Sequence, residues 1–180
     1  MPKVSYTAKK GLIQETGAGF DIKGSKNSNV LVRSATTAHD LTATEEDLVV
    51  VYTGTQAGAI TLPQATAANV GLVIKIVFAA NASTTAFKLG FANGGSTVLA
   101  GQLQLGALDG TASPDAFAIT TNAKSLEIDA NDATAAGGAK GSNYTFIYYG
   151  ANTVYVDARG MVTTGTPALD AASNTTTGTS

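Results

Sequence analysis

The stretch Tyr144-Thr145-Phe146-Ile147-Tyr148-Tyr149-Gly150-Ala151-Asn152-Thr153-Val154-Tyr155-Val156-Asp157-Ala158-Arg159 decides the fold class. Its large apolar side chains recur at every second position. Tyr144, Phe146 and Tyr148 share one face of the first half, and Val154, Val156 and Ala158 share one face of the second. A period of two is that of a strand, whose successive side chains point to opposite faces. Gly150-Ala151-Asn152 between the halves supplies turn chemistry, so the stretch predicts a β-hairpin.

The same period runs upstream. In Leu72-Val73-Ile74-Lys75-Ile76-Val77-Phe78 the even positions Leu72, Ile74, Ile76 and Phe78 form one face, and Val73, Lys75 and Val77 the other. This predicts a central strand with one face fully buried and the other mostly so. Phe87-Lys88-Leu89-Gly90-Phe91 and Leu126-Glu127-Ile128 follow the same rule. Shorter strands are expected at Val30–Arg33, Asp40–Ala43, Leu48–Tyr52, Ala59–Leu62, Thr97–Leu99, Leu103–Leu105 and Phe117–Thr120. Gln64–Val70 is the one helical candidate, and Gly71 ends it. Many short strands separated by Gly, Asn, Pro and Asp are the pattern of a sandwich or barrel. Parallel α/β folds are disfavoured because nothing helical is long enough to cover a sheet. The expected fold is therefore all-β, an antiparallel β-sandwich or jelly-roll-like barrel with an extended N-terminal arm and a C-terminal tail.

Composition supports an assembly role. Of 180 residues only 13% are charged, about half the share in an ordinary soluble domain. The chain contains 26 Thr, so its polar surface is built from hydroxyls and amides more than from charge. Such a surface is weakly protected by self-repulsion and suits a protein packed against neighbours. Charge is also uneven. Residues 1–34 carry Lys3, Lys9, Lys10, Lys23, Lys26 and Arg33 against Glu15 and Asp21, a net of +4, and residues 35–180 carry a net of −6. The expected division is a basic arm over 1–34, a β-domain over 35–162 and a low-complexity tail over 163–180. The arm is either a solvated tail or a strap that docks on an acidic partner. Nucleic acid is not the expected partner, because no aromatics interleave with the lysines and the charge is low for a phosphate grip.

There is no Cys and one His, His39, so thiolate chemistry, zinc and a His-based triad are not expected. His39 is expected to make a surface or inter-subunit hydrogen bond. Asp129-Ala130-Asn131-Asp132 lacks the ligand spacing of a calcium loop, so Asp129 and Asn131 are read as turn-stabilising side chains. Glu45-Glu46-Asp47 is either a solvated acidic turn or a docking site for a neighbour's basic arm. Gly17-Ala18-Gly19 and Gly94-Gly95 lack the glycine pattern of a phosphate loop. The expectation is a non-enzyme without cofactor or metal. The first residues, MPKVSYTAKKGLIQ, hold no apolar run of the signal-peptide kind, and no stretch approaches the ~20 apolar residues of a membrane span. Synthesis in a cytoplasm and no membrane partner are expected.

One order of motifs resembles a known group. Asp40-Leu41-Thr42-Ala43-Thr44-Glu45-Glu46-Asp47 is followed by Val49-Val50-Val51-Tyr52, by Ala59-Ile60-Thr61-Leu62-Pro63 and by Val70-Gly71-Leu72-Val73-Ile74-Lys75-Ile76-Val77. This order is similar to small β-domains of tailed-bacteriophage virions, including capsid decoration (cement) proteins and some tail-fibre and spike modules. The hairpin 144–159 resembles the closing hairpin of such domains, which often has Trp where this chain has Tyr155. The resemblance implies a virion protein, usually a homotrimer, on the outer surface of the capsid, which bridges major capsid protein subunits and is made in the host cytoplasm. Lys3, Lys9, Lys10, Lys23, Lys26 and Arg33 are then the candidate capsid contacts, and Glu45, Glu46, Asp47 and Tyr155 the candidate self-assembly contacts. The alternative is an adsorption module that binds a host receptor or glycan through exposed Tyr52, Tyr148 and Tyr155.

Overall fold

A computed structural model gives the fold and describes residues 4–7, 11–14, 30–34, 37–41, 48–82, 85–108, 115–119, 121–130, 137–163, 174–175 and 179. Near the start, strands β1 (Val4–Thr7) and β2 (Gly11–Gln14) pair as a small antiparallel hairpin. The remaining strands are β3 (Val30–Arg33), β4 (His39–Asp40), β5 (Leu48–Tyr52), β6 (Ile60–Leu62), β7 (Val73–Phe78), β8 (Phe87–Phe91), β9 (Val98–Ala107), β10 (Asp115–Ala118), β11 (Ser125–Ile128), β12 (Asn143–Gly150), β13 (Thr153–Val162) and β14 (Asn174–Thr175). They form a seven-stranded sheet in the order β10-β9-β13-β12-β7-β5-β3 and a five-stranded sheet in the order β14-β11-β8-β6-β4. The chain is all-β as expected, and the helical candidate shrinks to one 3₁₀ turn, Ala67–Asn69.

The antiparallel expectation is corrected. Five of the eleven pairings among the described strands are parallel: β3 with β5, β5 with β7, β4 with β6, β6 with β8, and β13 with β9. From β3 to β8 the chain alternates between the sheets, one strand in each. A parallel pair needs a crossover, and here the crossover is a strand of the other sheet. The β5–β7 connection runs through β6, and the β6–β8 connection through β7. No helix is needed, which is why the lack of helices did not exclude parallel pairing.

The two sheets share one hydrophobic cluster. The larger sheet contributes Tyr52, Ile74, Ile76, Phe78, Tyr144, Phe146, Tyr148, Val154 and Val156, and the smaller contributes Ile60, Leu62, Phe87, Leu89, Phe91, Leu126 and Ile128. Aromatic rings bridge the sheets. Phe78 meets Phe87 edge-on at 6.4 Å between ring centroids, and Phe91 meets Tyr148 at 6.5 Å. Such edge contacts add to the area term of burial. The hairpin is as read, with Tyr144 opposite Ala158 and Phe146 opposite Val156. A register shift between Tyr148 and Gly150 leaves Tyr149 unpaired, so the turn proper is Ala151-Asn152.

Both flanking segments reach the body. Val30–Arg33 is an edge strand of the larger sheet, so the boundary at residue 34 is corrected to a point before Val30. In the C-terminal tail, Asn174–Thr175 extends the smaller sheet by pairing with β11. Thr179 is buried, its amide donating to Phe91 O at 2.7 Å and its carbonyl accepting from Asn93 N at 3.0 Å. Low complexity did not prevent this docking, because a strand pairs through backbone groups that every residue carries.

Gly101 marks a constraint inside β9. Its φ is +124°, and a Cβ there would lie 2.1 Å from the Val156 carbonyl oxygen on β13. Gly71 also has positive φ, at +98°, but its Cβ would meet nothing within 4 Å. Gly101→Ala should therefore cost about 2–4 kcal/mol through strain plus displacement of β13. Gly71→Ala should cost only the conformational part, about 1–2 kcal/mol. Urea unfolding of the two variants measures the difference.

Candidate functional site

Most buried polar groups in the body hold the fold. His39 is only 8% exposed, and its Nδ1 shares a 2.7 Å hydrogen bond with the Tyr52 hydroxyl. This corrects the surface or inter-subunit role expected for it: β4 is the edge strand of the smaller sheet, paired with β6, and its imidazole is turned toward Tyr52 in the core. The Tyr144 hydroxyl donates to Gly137 O, and the Tyr148 hydroxyl donates to Pro63 O at 2.8 Å. Tyr52 and Tyr148 are thus core residues, and of the three tyrosines proposed for glycan binding only Tyr155 faces outward. Asp129 is buried beside a turn in which Gly138 N donates to its carbonyl at 2.7 Å. Among the described residues, no group of three His, Cys, Asp or Glu is placed to hold a metal, and no helix is long and apolar enough to cross a membrane.

A different feature stands out on the larger sheet. The alternation that sends Ile74, Ile76 and Phe78 into the core sends Val73, Lys75 and Val77 to the opposite face. Strand register extends this face across the sheet in rows. One row runs Val30, Val49, Lys75, Thr145, Asp157, Gln102, Ala118. The next runs Val32, Val51, Val77, Asn143, Arg159, Gln104, Ala116. A third includes Val73, Ile147, Tyr155 and Ala100. Val32 is 61% exposed, Val30 45% and Ile147 37%. Val49, Val51, Val73 and Val77 are half-buried, and Lys75, Asp157 and Arg159 are exposed. Apart from Lys75, the β3–β5–β7 half of the face is therefore aliphatic. The other half, on β13, β9 and β10, carries charges and amides.

The expectation that the second face of β7 is mostly buried is corrected by this arrangement. Val49-Val50-Val51 and, apart from Lys75, Val73 to Val77 are apolar on both faces, which reads in sequence as a strand covered on both sides. A contiguous apolar patch left at a surface marks an interaction site. The sequence signal for two apolar faces was present, but it could not say that the second is left at the surface.

The candidate residues fall as follows. Lys3, Lys9, Lys10, Lys23, Lys26, Glu45, Glu46 and Asp47 lie outside the described residues, as does Asn131. Arg33 ends the edge strand β3, half-buried and in register with Tyr52, and its carbonyl accepts from Thr53 N at 2.8 Å. Tyr155 lies on the outer face beside Ile147. With Gly101, Gln102, Ala116, Phe117 and Ala118 it lines a shallow open depression of about 380 Å³. That lining offers one phenol and one side-chain amide, which suits contact more than proton transfer. No family model, no curated protein and no solved structure matches the chain.

The buried phenols generate a pH prediction. Burial pushes the hydroxyls of Tyr52, Tyr144 and Tyr148 well above their ordinary value, and the charge of Arg33 pulls only Tyr52 partly back. The folded state therefore keeps these protons after the unfolded chain has lost them. Their contribution is complete below pH ~10 and is lost as pH rises beyond it, at about 1.4 kcal/mol per pH unit for each phenol. Urea unfolding should show stability falling steeply above pH ~10. Tyr148→Phe should cost about 1 kcal/mol at neutral pH by leaving Pro63 O unpaired, and should make the alkaline decline shallower by one phenol's share.

Proposed function

We propose that this chain is a structural virion protein that binds the outer surface of a bacteriophage capsid and cements the head by bridging major capsid protein subunits. The observation that carries this is the aliphatic outer face of the larger sheet, Val30, Val32, Val49, Val51, Val73, Val77 and Ile147, on a chain with only 13% charged residues. A face of this kind is satisfied by another protein surface. The motif order from Asp40 to Val77, similar to phage virion β-domains, supplies the class of assembly. In this proposal the two sheets form a β-sandwich body that self-associates. The residues before Val30, with Lys3, Lys9, Lys10, Lys23 and Lys26, form the strap to the capsid, and Arg33 extends that basic series onto the body. The protein works as a non-enzyme and needs neither metal nor cofactor. Several weak contacts made by one tethered chain add up to high avidity without a deep pocket.

The experiment is binding to purified heads of the phage whose genome encodes the chain. The full chain should decorate heads, and a variant lacking residues 1–29, which keeps β3 in the sheet, should lose affinity at least about tenfold. Raising salt should weaken the full chain more than the truncated one, since only the former carries the basic strap. Undiminished occupancy by the truncated chain would refute the strap, and absence of decoration by the full chain would refute the capsid assignment.

A further inference from the structure

We infer that the outer face of the larger sheet takes a second copy of this chain, packed face to face about a two-fold axis that runs along β12. The inference rests on reading this face as an assembly surface, and is independent of the larger structure that the assembly joins. It replaces the threefold association implied by the resemblance with a two-fold one.

The register carries it. β12 is flanked by β7 on one side and β13 on the other, each about 4.8 Å away. In the central row these three strands present Lys75, Thr145 and Asp157. A two-fold axis in the plane between two such faces, directed along β12, exchanges left and right. It sets the β7 position of one copy over the β13 position of the other. Lys75 of each copy then faces Asp157 of its mate, and two opposite-charge pairs form by symmetry. Thr145 faces itself. In one neighbouring row Val73 faces Tyr155 and Ile147 faces itself, and in the other Val77 faces the aliphatic stem of Arg159 and Asn143 faces itself. Farther out, Val49 and Val51 of β5 lie over the aliphatic stems of Gln102 and Gln104 on β9. The aliphatic half of one face thus covers the mixed half of the other. An isologous contact requires this self-complementarity. A capsid surface would have to supply the complement of Lys75 and Asp157 independently.

Size is consistent with the same occupant. Seven strands at about 4.8 Å spacing and five residues at about 3.4 Å rise give roughly 500 Å² of face per copy. Both copies together then cover about 1,000 Å², the lower bound for a specific interface. Sheets pack about 10 Å apart with strands some 30° askew, which inclines the axis by about 15° to β12. Near the axis this skew shifts the facing positions by only a few ångströms, within reach of a lysine side chain.

The test is sedimentation and light scattering of the full chain from low micromolar to sub-millimolar concentration. The expected species is a dimer of twice 18.1 kDa. Lys75→Asp and Asp157→Lys each set like charges against each other twice, and each should weaken dimerisation at least about tenfold. The double variant K75D/D157K restores both pairs and should recover the dimer. Circular dichroism confirms folding of each variant, which is expected because both side chains are exposed. As an independent readout, the chain has no cysteine, so Thr145→Cys should be joined to itself by a short bis-maleimide, whereas Leu108→Cys, exposed beyond the end of β9, should not. A monomer or trimer as the sole species would overturn the inference. So would a dimer indifferent to the charge swap, or one that fails to cross-link through Thr145→Cys. Loss of head decoration with an intact dimer would refute the capsid assignment alone.

Discussion

The structure depends on one constraint: neither sheet can be built without the other. β3, β5 and β7 are parallel neighbours, and so are β4, β6 and β8. Each step between parallel neighbours passes through the opposite sheet. The hydrophobic cluster is therefore enclosed by the winding itself. Phe78 illustrates the coupling: it stacks with Tyr52 at 5.6 Å within its own sheet and meets Phe87 edge-on across the core. Loosening either sheet exposes the same buried surface, so the body should unfold as one cooperative unit.

Polar groups follow the same logic. A core crossed by many short strands contains many strand ends, and each end leaves backbone groups that need partners. The phenols of Tyr144 and Tyr148 answer the carbonyls of Gly137 and Pro63. Gln56, fully buried, donates to Thr37 O at 2.9 Å and Gly58 O at 2.7 Å. Ser142 donates to Ala139 O and accepts from Met161 N. These side chains look like candidates for chemistry in a bare sequence, and in the fold they close turns. Among the described residues, the feature left at the surface is the outer face of a sheet.

Period-two patterning made the strands legible, because burial on one face writes itself into alternate residues. Val73–Phe78 and the 143–162 hairpin are read correctly on that basis. Sheet membership was not legible. Local patterning says which face is buried but not which strand lies alongside, and here consecutive strands from β3 to β8 are never neighbours. Thr97–Leu99 and Leu103–Leu105 merge into one strand, because Gly101 reads as a break yet stays in the ladder opposite Val156. On the outer face, Tyr155 was singled out through the resemblance of its hairpin to the closing hairpin of phage virion domains. The valines beside it were missed, because an apolar side chain left at a surface looks the same in sequence as one that is covered.

The alternating path also fixes the unit in which such a body can change length. Removing one strand between β3 and β8 would send every following strand to the wrong sheet and exchange its neighbours. Removing two consecutive strands, such as β5 with β6, would shorten each sheet by one and leave all others in their layer and direction. Evolutionary or engineered variation within this segment is therefore quantised in strand pairs. A longer relative would be recognised by an insertion of two period-two segments rather than one.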